Sequence, residues 1–323
     1  MTARRAFVTG AAGQDGRYLV ERLLSDGFEV VGMCHSQEKA DELAIDQPGV
    51  TAVAGDLADA DGLSALIEAA EPTRIFNLAG NTSVARSWEY PAETADVLGV
   101  GPIRIFDTAW RISERTGTQV RVLQASSAEI FGNASEIPQN EMTPRRPVTP
   151  YGAAKGFAHE MAGVYRARGM HVSSAILYNH ESPRRPEQFV ARKIAVAVVA
   201  IALGKQETIS LGNIDVHRDW GYAPDYVDAM IRIIENDEAG DFVVATGESH
   251  SVRDFVAEAF RAAGVSDWER RVVIDPAFYR PADPEQLVGD SSRLRAIGWQ
   301  PTVAFADLVG IMVESEFERQ GRP

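Results

Sequence analysis

The chain has 323 residues, 45% of them hydrophobic and 24% charged, enough apolar material for one large domain or two unequal ones around a substantial core. A formal net charge of −14 argues against nucleic-acid backbones or anionic membranes as general partners, and the longest apolar run, Ile194 to Leu203, falls well short of the roughly 20 residues that span a bilayer. Cys34 is the only cysteine, so no intrachain disulfide can form, and with no signal peptide in MTARRAFVTG a cytoplasmic protein is expected.

Arg5 to Thr9 is a short apolar, β-branched run that ends in GAAGQDG, with glycines at Gly10, Gly13 and Gly16, and a helical pattern follows from Tyr18 to Leu24. A strand that turns through glycines into a helix aims backbone N–H groups and the positive helix end at a diphosphate, so this is a dinucleotide site, with Gln14 and Asp15 inside the turn. A second strand, Glu29 to Met33, leads to Cys34, His35 and Ser36, where NAD binders place an acid and NADP binders an arginine; this chain offers neither. Strand three, Thr51 to Ala54, runs into Asp56 and Leu57. Asp56 could meet the adenine amino group, or it could cap the helix Asp61 to Ala70. Strand four, Arg74 to Asn77, continues into Leu78, Ala79 and Gly80, small enough to let backbone approach a cofactor.

A long helix from about Thr94 to Thr116 precedes strand five, Val120 to Ala125, which delivers Ser126, Ser127 and Glu129 to the carboxyl edge of the sheet, where open α/β sheets bind ligands. The polar, proline-rich stretch Glu136 to Pro150 reads as a loop over that site. Tyr151 and Lys155 then share one face of a helix that runs to about Arg168, one turn apart. The ordinary phenol pKa near 10 makes tyrosine a poor base, and an ammonium this close would lower it. The serine hydroxyl would bind the oxygen on which Tyr151 acts. Strand six, Val172 to Leu177, completes the alternation of a doubly wound parallel sheet, a Rossmann α/β fold over residues 1–178 with returns at about 216–247.

Past residue 178 the alternation stops. Proline-flanked polar segments (SPRRPEQF, LGNIDVHRDW, FYRPADPEQLVGD) are interleaved with a helix at Asp225 to Glu235 and a strand at Phe242 to Ala245, so residues 179–323 read as a smaller, discontinuous substrate-binding portion. Arg184, Arg185, Lys193, Arg218 and Arg280 are cations that could hold a nucleoside diphosphate in this otherwise acidic chain. The six histidines form no HxxxH pair and have no cysteine partner, so no metal site is expected.

FVTGAAGQDG, SAEIFG, TPYGAAK, NHESPRR, LGNIDVHRDWG, DYVDAM and YRPAD together resemble the GDP-mannose 4,6-dehydratases, a branch of the extended short-chain dehydrogenase/reductases, over nearly the whole chain. The resemblance implies Ser127, Glu129, Tyr151 and Lys155 as catalytic residues. For cofactor contacts it implies Gly10, Gly13, Gln14, Asp15, Gly16, His35, Asp56, Leu57, Leu78, Ala79, Tyr151 and Lys155. A GDP-sugar would meet Ser83, Asn179, Glu181, Arg184, Val190, Lys193, Gly212, Arg218, Arg280 and Asp283. The implied cofactor is NADP, with NAD the alternative.

This chain departs from the family pattern in four places: serine replaces threonine at Ser127, YRPAD shortens an acid to Asp283, His35 and Ser36 replace paired arginines, and a hydrophilic insertion before YRP is missing. Loss of the arginine pair, which supports subunit contacts in relatives, leads to the expectation of a homodimer, with a tetramer as the alternative. Two other functions stay open on sequence alone: a nucleotide-sugar reductase or 4-epimerase, which needs no acid at Glu129, and a non-catalytic NADP sensor, which would not need Tyr151 and Lys155.

Overall fold

The computed structural model describes residues 4–278, 284 and 286–321. In chain order its first half runs β1 (Arg5–Thr9), α1 (Gln14–Ser25), β2 (Glu29–Cys34), α2 (Gln37–Asp46), β3 (Val50–Ala54), α3 (Ala60–Ala70), β4 (Arg74–Asn77), α4 (Val84–Glu89), α5 (Pro91–Ala95), α6 (Gly101–Thr116), β5 (Arg121–Ser127), α7 (Pro150–Ala167) and β6 (His171–Leu177). The second half adds β7 (Asn179–Glu181), α8 (Val190–Ala202), β8 (Ile209–Leu211), β9 (His217–Arg218), β10 (Trp220–Tyr222), α9 (Ala223–Glu235), β11 (Asp241–Val244), β12 (His250–Ser251), α10 (Val252–Ala262), β13 (Val272–Ile274), β14 (Gln286–Leu287), α11 (Ser292–Ala296) and α12 (Phe305–Gln320).

Seven parallel strands form one sheet in the order β11-β6-β5-β4-β1-β2-β3. The direction of strand succession reverses between β1 and β4, the switch point at which a crevice opens outside the carboxyl ends. Alternation along β1 sorts the core. Ala6 and Val8 pack with α1, α2 and α9 on one face, while Phe7 packs with α3, α6 and α7 on the other. Gly10 adopts φ +69°, and a Cβ there would meet the Ala79 backbone at 2.9 Å, so only glycine lets the first turn come this close to the β4 loop.

The single helix expected from Thr94 to Thr116 is instead three pieces: α5, a π-helical turn Asp96–Val100, and α6. Gly99 and Gly101 lie within and just after that turn, and Gly101 packs so closely on Leu57 that a Cβ would sit 2.9 Å from it. Strand five starts at Arg121 and carries through Ser126 and Ser127, so both serines are held in a strand rather than in the loop beyond it.

The smaller part is built from α8, α10 and α12, which share a core with Trp220 and Phe255, edged by the short pairs β10-β7 and β13-β8 and the three-stranded β12-β9-β14. The Ile194–Leu203 run lies on buried α8, and no described helix is long and apolar enough to cross a membrane. β11 and α9 return to the large sheet, β11 pairing with β6 from Asp241↔Ser174 to Val244↔Leu177. Buried Asp219 ties the two parts together: its carboxylate accepts from Thr246 N and Thr246 Oγ1 at 2.8 and 2.7 Å and from Gly247 N at 2.8 Å.

Candidate active site

Four side chains meet at the carboxyl end of β5. Ser127 is its last residue, and its Oγ accepts from Glu129 N at 3.2 Å, which opens a single 3-10 turn and fixes Glu129 next to it. Thr149 caps α7 by accepting from Gly152 N at 3.0 Å, and Pro150 starts the helix, so Tyr151 and Lys155 fall in its first and second turns. Gly152 presses on the turn carrying Glu129: a Cβ would lie 2.5 Å from the Glu129 carbonyl oxygen. Tyr151 is held from the other side, its N–H donating to Ser87 Oγ at 3.2 Å.

The electrostatics differ from the sequence expectation of a phenol acidified by its lysine. Burial pushes the Tyr151 phenol up to about 12; the hydrogen bond from Ser127 and the nearby Arg185 oppose this, while the Glu129 charge adds to it. Burial also brings the Lys155 ammonium down to about 8, and its Nζ donates at 2.9 Å to the Ala125 carbonyl oxygen, 5.9 Å from the Tyr151 ring centre. The phenol is therefore held protonated in this environment.

Behind these four residues lies a buried polar network that pattern reading missed. Thr9 Oγ1 donates to Asn77 Oδ1 at 2.7 Å and accepts from the Leu78 and Ala79 N–H groups, both at 3.1 Å. Asn77 Nδ2 donates to Gln124 Oε1 at 2.7 Å, and Gln124 Nε2 donates at 2.9 Å to the same Ala125 carbonyl that receives Lys155. The strand end before the glycine turn and Lys155 thus share one chain of hydrogen bonds. Its signal was a polar residue near the end of each apolar strand: Thr9 in FVT, Asn77 in IFN, Gln124 in VLQ.

Among the residues expected to hold a dinucleotide, Gly13 is the N-cap of α1, and no side chain caps the first N–H groups of that helix. With the close approach at Gly10, this cradle fits a diphosphate. The Gln14 and Asp15 side chains turn the other way: Gln14 Nε2 donates to the His180 carbonyl at 3.1 Å, and Asp15 Oδ2 lies 2.8 Å from His180 Nε2. Asp56 is exposed, its Oδ1 accepting from Ala58 N at 2.9 Å, and it is Asp59, not Asp56, that caps α3 through Gly62 N at 3.0 Å. Leu57 is core, its carbonyl taken by Arg104 at 2.7 Å. His35 is exposed at the end of β2, where Ser36 caps α2.

The residues expected to meet a sugar nucleotide are more dispersed. Ser83 caps α4 by accepting from Arg86 N at 3.2 Å. Asn179 and Glu181 lie on β7, with Glu181 buried and its carboxyl raised by that burial despite Arg185 at 3.1 Å. Arg184 points to α1, pairing with Glu21 at 2.7 Å and stacking over Tyr18, whereas Arg185 is the arginine near Tyr151. Val190 begins α8. Lys193, one turn on, donates to the Ser210 carbonyl at 2.7 Å and lies 3.9 Å from the Phe278 ring centre, and Gly212 approaches the Phe278 carbonyl at 2.6 Å measured from its virtual Cβ. Arg218 is buried on β9 and donates to the Pro284 carbonyl at 2.8 Å. Arg280 and Asp283 lie outside the described residues. No group of three or more His, Cys, Asp or Glu among the described residues could hold a metal ion.

Comparison with known proteins agrees in fold and in sequence. The Thermus thermophilus UDP-glucose 4-epimerase, solved with NAD, superposes with a TM-score of 0.84 at 27% identity over 99% of this chain and 100% of that one. The Pseudomonas aeruginosa RMD protein with NADPH reaches a TM-score of 0.81 at 24% identity, covering 98% of this chain and 100% of that one, a likeness of fold. Curated relatives named GDP-mannose 4,6 dehydratase are 39% identical in Arabidopsis thaliana, over 97% of this chain and 90% of theirs, and 39% in Homo sapiens, over 97% and 91%. A family model described as GDP-mannose 4,6 dehydratase matches residues 7–312, and on this evidence the chain belongs to the GDP-mannose 4,6-dehydratase family.

Proposed function

We propose that the chain is a hydro-lyase that converts GDP-mannose to GDP-4-keto-6-deoxymannose with no net consumption of reductant. The observation that carries this reading is the placing of a carboxylate, Glu129, in the turn that also fixes Ser127 and packs on the helix of Tyr151 and Lys155. A reductase or 4-epimerase needs proton transfer at C4 only; a dehydratase needs a second acid/base that reaches C5.

When bound, an oxidised nicotinamide would accept the hydrogen of sugar C4, give it back at C6 after water has left, and place a positive charge beside Tyr151. Tyr151, made basic by that charge, takes the C4 hydroxyl proton while Ser127 donates a hydrogen bond to the same oxygen and Lys155, held on the Ala125 carbonyl, keeps its ammonium on the same helix face. The C4 carbonyl so formed acidifies the C5 hydrogen. Glu129 removes it and passes a proton to the C6 hydroxyl, which leaves as water; once the C4 hydrogen is given back at C6, the same carboxyl delivers a solvent-derived proton to C5, leaving the 4-keto-6-deoxy sugar. The diphosphate cradle of Gly10, Gly13 and the open end of α1 fits the dinucleotide. Asn179, Lys193 and Arg218, with Arg280, take the GDP-sugar, and Glu181, Val190 and Gly212 shape its surroundings.

NADP is the proposed dinucleotide, with NAD as the alternative. Arg17 and Lys39 are cations near the end of β2; Arg17 pairs with Asp46 and, at 3.7 Å, with Glu42, and Lys39 pairs with Glu42 at 2.8 Å, so a ribose phosphate would compete with those carboxylates. The nucleotide extracted from the purified holoprotein identifies it. The assembly is proposed to be a cytoplasmic homodimer; sedimentation that gives a stable tetramer would overturn this. Incubation with GDP-mannose and no added reductant should give the 4-keto-6-deoxy product. A requirement for stoichiometric reduced nicotinamide would point to a reductase instead.

A further inference from the structure

Two segments far apart in sequence, the start of α1 at Gln14–Asp15 just after the glycine turn and the strap from Asn179 to Arg185, meet in a contact that the catalytic scheme does not use. His180 Nδ1 lies 2.7 Å from the Tyr178 carbonyl oxygen and its Nε2 lies 2.8 Å from Asp15 Oδ2. A carbonyl oxygen only accepts, so Nδ1 carries a hydrogen; an ionised carboxylate only accepts, so Nε2 carries one as well. The ring is then an imidazolium. Its surroundings suit that charge. Burial would strip the proton, yet the charge of Asp15 and its hydrogen bond outweigh burial and raise the His180 pKa, and Asp15 is correspondingly held ionised against its own burial by His180, Gln14 and Arg185. The Tyr226 ring stacks on the imidazole with centres 4.5 Å apart.

The strap is fastened on both sides of this ring. Toward the cofactor turn, Gln14 Nε2 donates to the His180 carbonyl at 3.1 Å and Ser182 Oγ donates to Gln14 Oε1 at 2.9 Å. Toward the smaller part, the Pro183 carbonyl accepts from Arg192 on α8 at 3.0 Å and from Arg319 on α12 at 2.7 Å, and Glu316 pairs with both arginines. Displacing the strap would move the Arg185 charge, which acts on Tyr151, Asp15, His180 and Glu181 alike.

We propose that His180, an imidazolium pinned between Asp15 and the Tyr178 carbonyl, is a positioning residue that locks the nucleotide-sugar strap to the diphosphate-binding turn and so couples the binding of the two nucleotides. The inference rests on the reading above, in which the turn receives the dinucleotide and the strap faces the GDP-sugar. Two ligands that order one shared joint bind cooperatively, and the coupling is reciprocal. A pair that served stability alone would lower the melting temperature when removed and leave ligand coupling as it was.

The test uses the holoprotein as purified, with GDP as the probe. In wild type, saturating GDP should slow loss of the nicotinamide cofactor on dilution by about fivefold or more, the lower end of ordinary coupling. In His180→Asn, GDP should bind about tenfold more weakly by calorimetry and, when saturating, should leave the rate of cofactor loss unchanged. A long-range proton–nitrogen spectrum of wild type, assigned by the same variant, should show both His180 nitrogens protonated at neutral pH. Should His180→Asn fail to fold, Ser182→Ala removes the hydroxyl that donates to Gln14 and accepts from Arg184 N, and should reduce the GDP effect at least twofold. A neutral His180 ring, or variants with wild-type GDP affinity and wild-type response of cofactor loss, would overturn the proposal alone. Failure of GDP to bind wild type would overturn the GDP-sugar reading and the proposal with it.

Discussion

Lys155→Met should inactivate the protein and make it more stable at neutral pH. The charged Lys155 ammonium is buried deeply enough to bring its pKa from 10.5 to about 8. That shift corresponds to a cost of roughly 3 kcal/mol for keeping the ammonium charged at pH 7, at about 1.36 kcal/mol per decade. Methionine keeps most of the volume and removes the charge; it also loses the bond to the Ala125 carbonyl, worth about 1 kcal/mol. The net gain is about 2 kcal/mol. Unfolding entropy near 2.1 cal/mol/K per residue makes this about 3 °C in melting temperature for a chain of this length. The sign with pH is specific. A lysine whose folded pKa is depressed costs stability below that pKa, and the cost fades as pH rises from about 8 toward 10.5, so the advantage of the variant should shrink over that window and then reverse. Calorimetric melting of both proteins, with the cofactor removed and its absence verified, at a series of pH values measures this. A variant less stable than wild type at pH 7, with a difference flat in pH, would refute the view that burial dominates at this lysine.

Tyr151→Phe should drop turnover by at least the roughly 10²- to 10⁴-fold credited to a positioned acid/base, with GDP-sugar affinity nearly intact in a calorimetric titration. Glu129→Gln keeps the shape but cannot take the C5 proton, so reduced nicotinamide should accumulate, visible in its absorbance band after mixing with GDP-mannose; normal turnover would remove Glu129 from the mechanism. Gly152→Ala puts a methyl 2.5 Å from the Glu129 carbonyl oxygen, which should cost about 1–3 kcal/mol by thermal melting and depress turnover further by spreading Tyr151 from Glu129. Burial, aided by Arg121 and Arg74, lowers the His171 pKa to about 4. Stability should therefore be fully present above about pH 6.5 and fall toward pH 4 by up to about 3 kcal/mol on this account. His171→Gln should flatten that slope, and an unchanged acid limb would count against it.

The first strand, glycine turn and helix were legible because three glycines at fixed offsets have a single steric use, and the strands of the large sheet were legible because their residues are apolar on both faces. The grouping of the four candidate residues was legible too, since Ser127 and Glu129 end an apolar run and Tyr151 and Lys155 repeat at helical spacing. What stayed hidden depended on backbone geometry. The π turn at Asp96–Val100 leaves the apolar periodicity nearly intact, so α5 and α6 read as one helix. Asp56 and Asp59 both look like caps, and only the path of the turn selects Asp59. In the strap after β6 no regular period shows which of two adjacent arginines faces inward: Arg184 turns to Glu21 and Arg185 lies near Tyr151. The Tyr151 pKa is not legible for a related reason: helical spacing shows that a lysine is near, but the depth of burial, which sets the sign, comes from the Glu129 turn, the Ser87 contact and the packing of α7 on β5.

The central claim is that hydrogen taken from C4 of the sugar returns to the same molecule at C6. GDP-mannose carrying deuterium at C4, turned over by the holoprotein in ordinary water without added reductant, tests it by locating the label in the product. The account predicts a 4-keto-6-deoxy sugar with deuterium at C6 and a solvent proton at C5, where Glu129 acts. Deuterium lost to water, or appearing only on added nicotinamide, would contradict it.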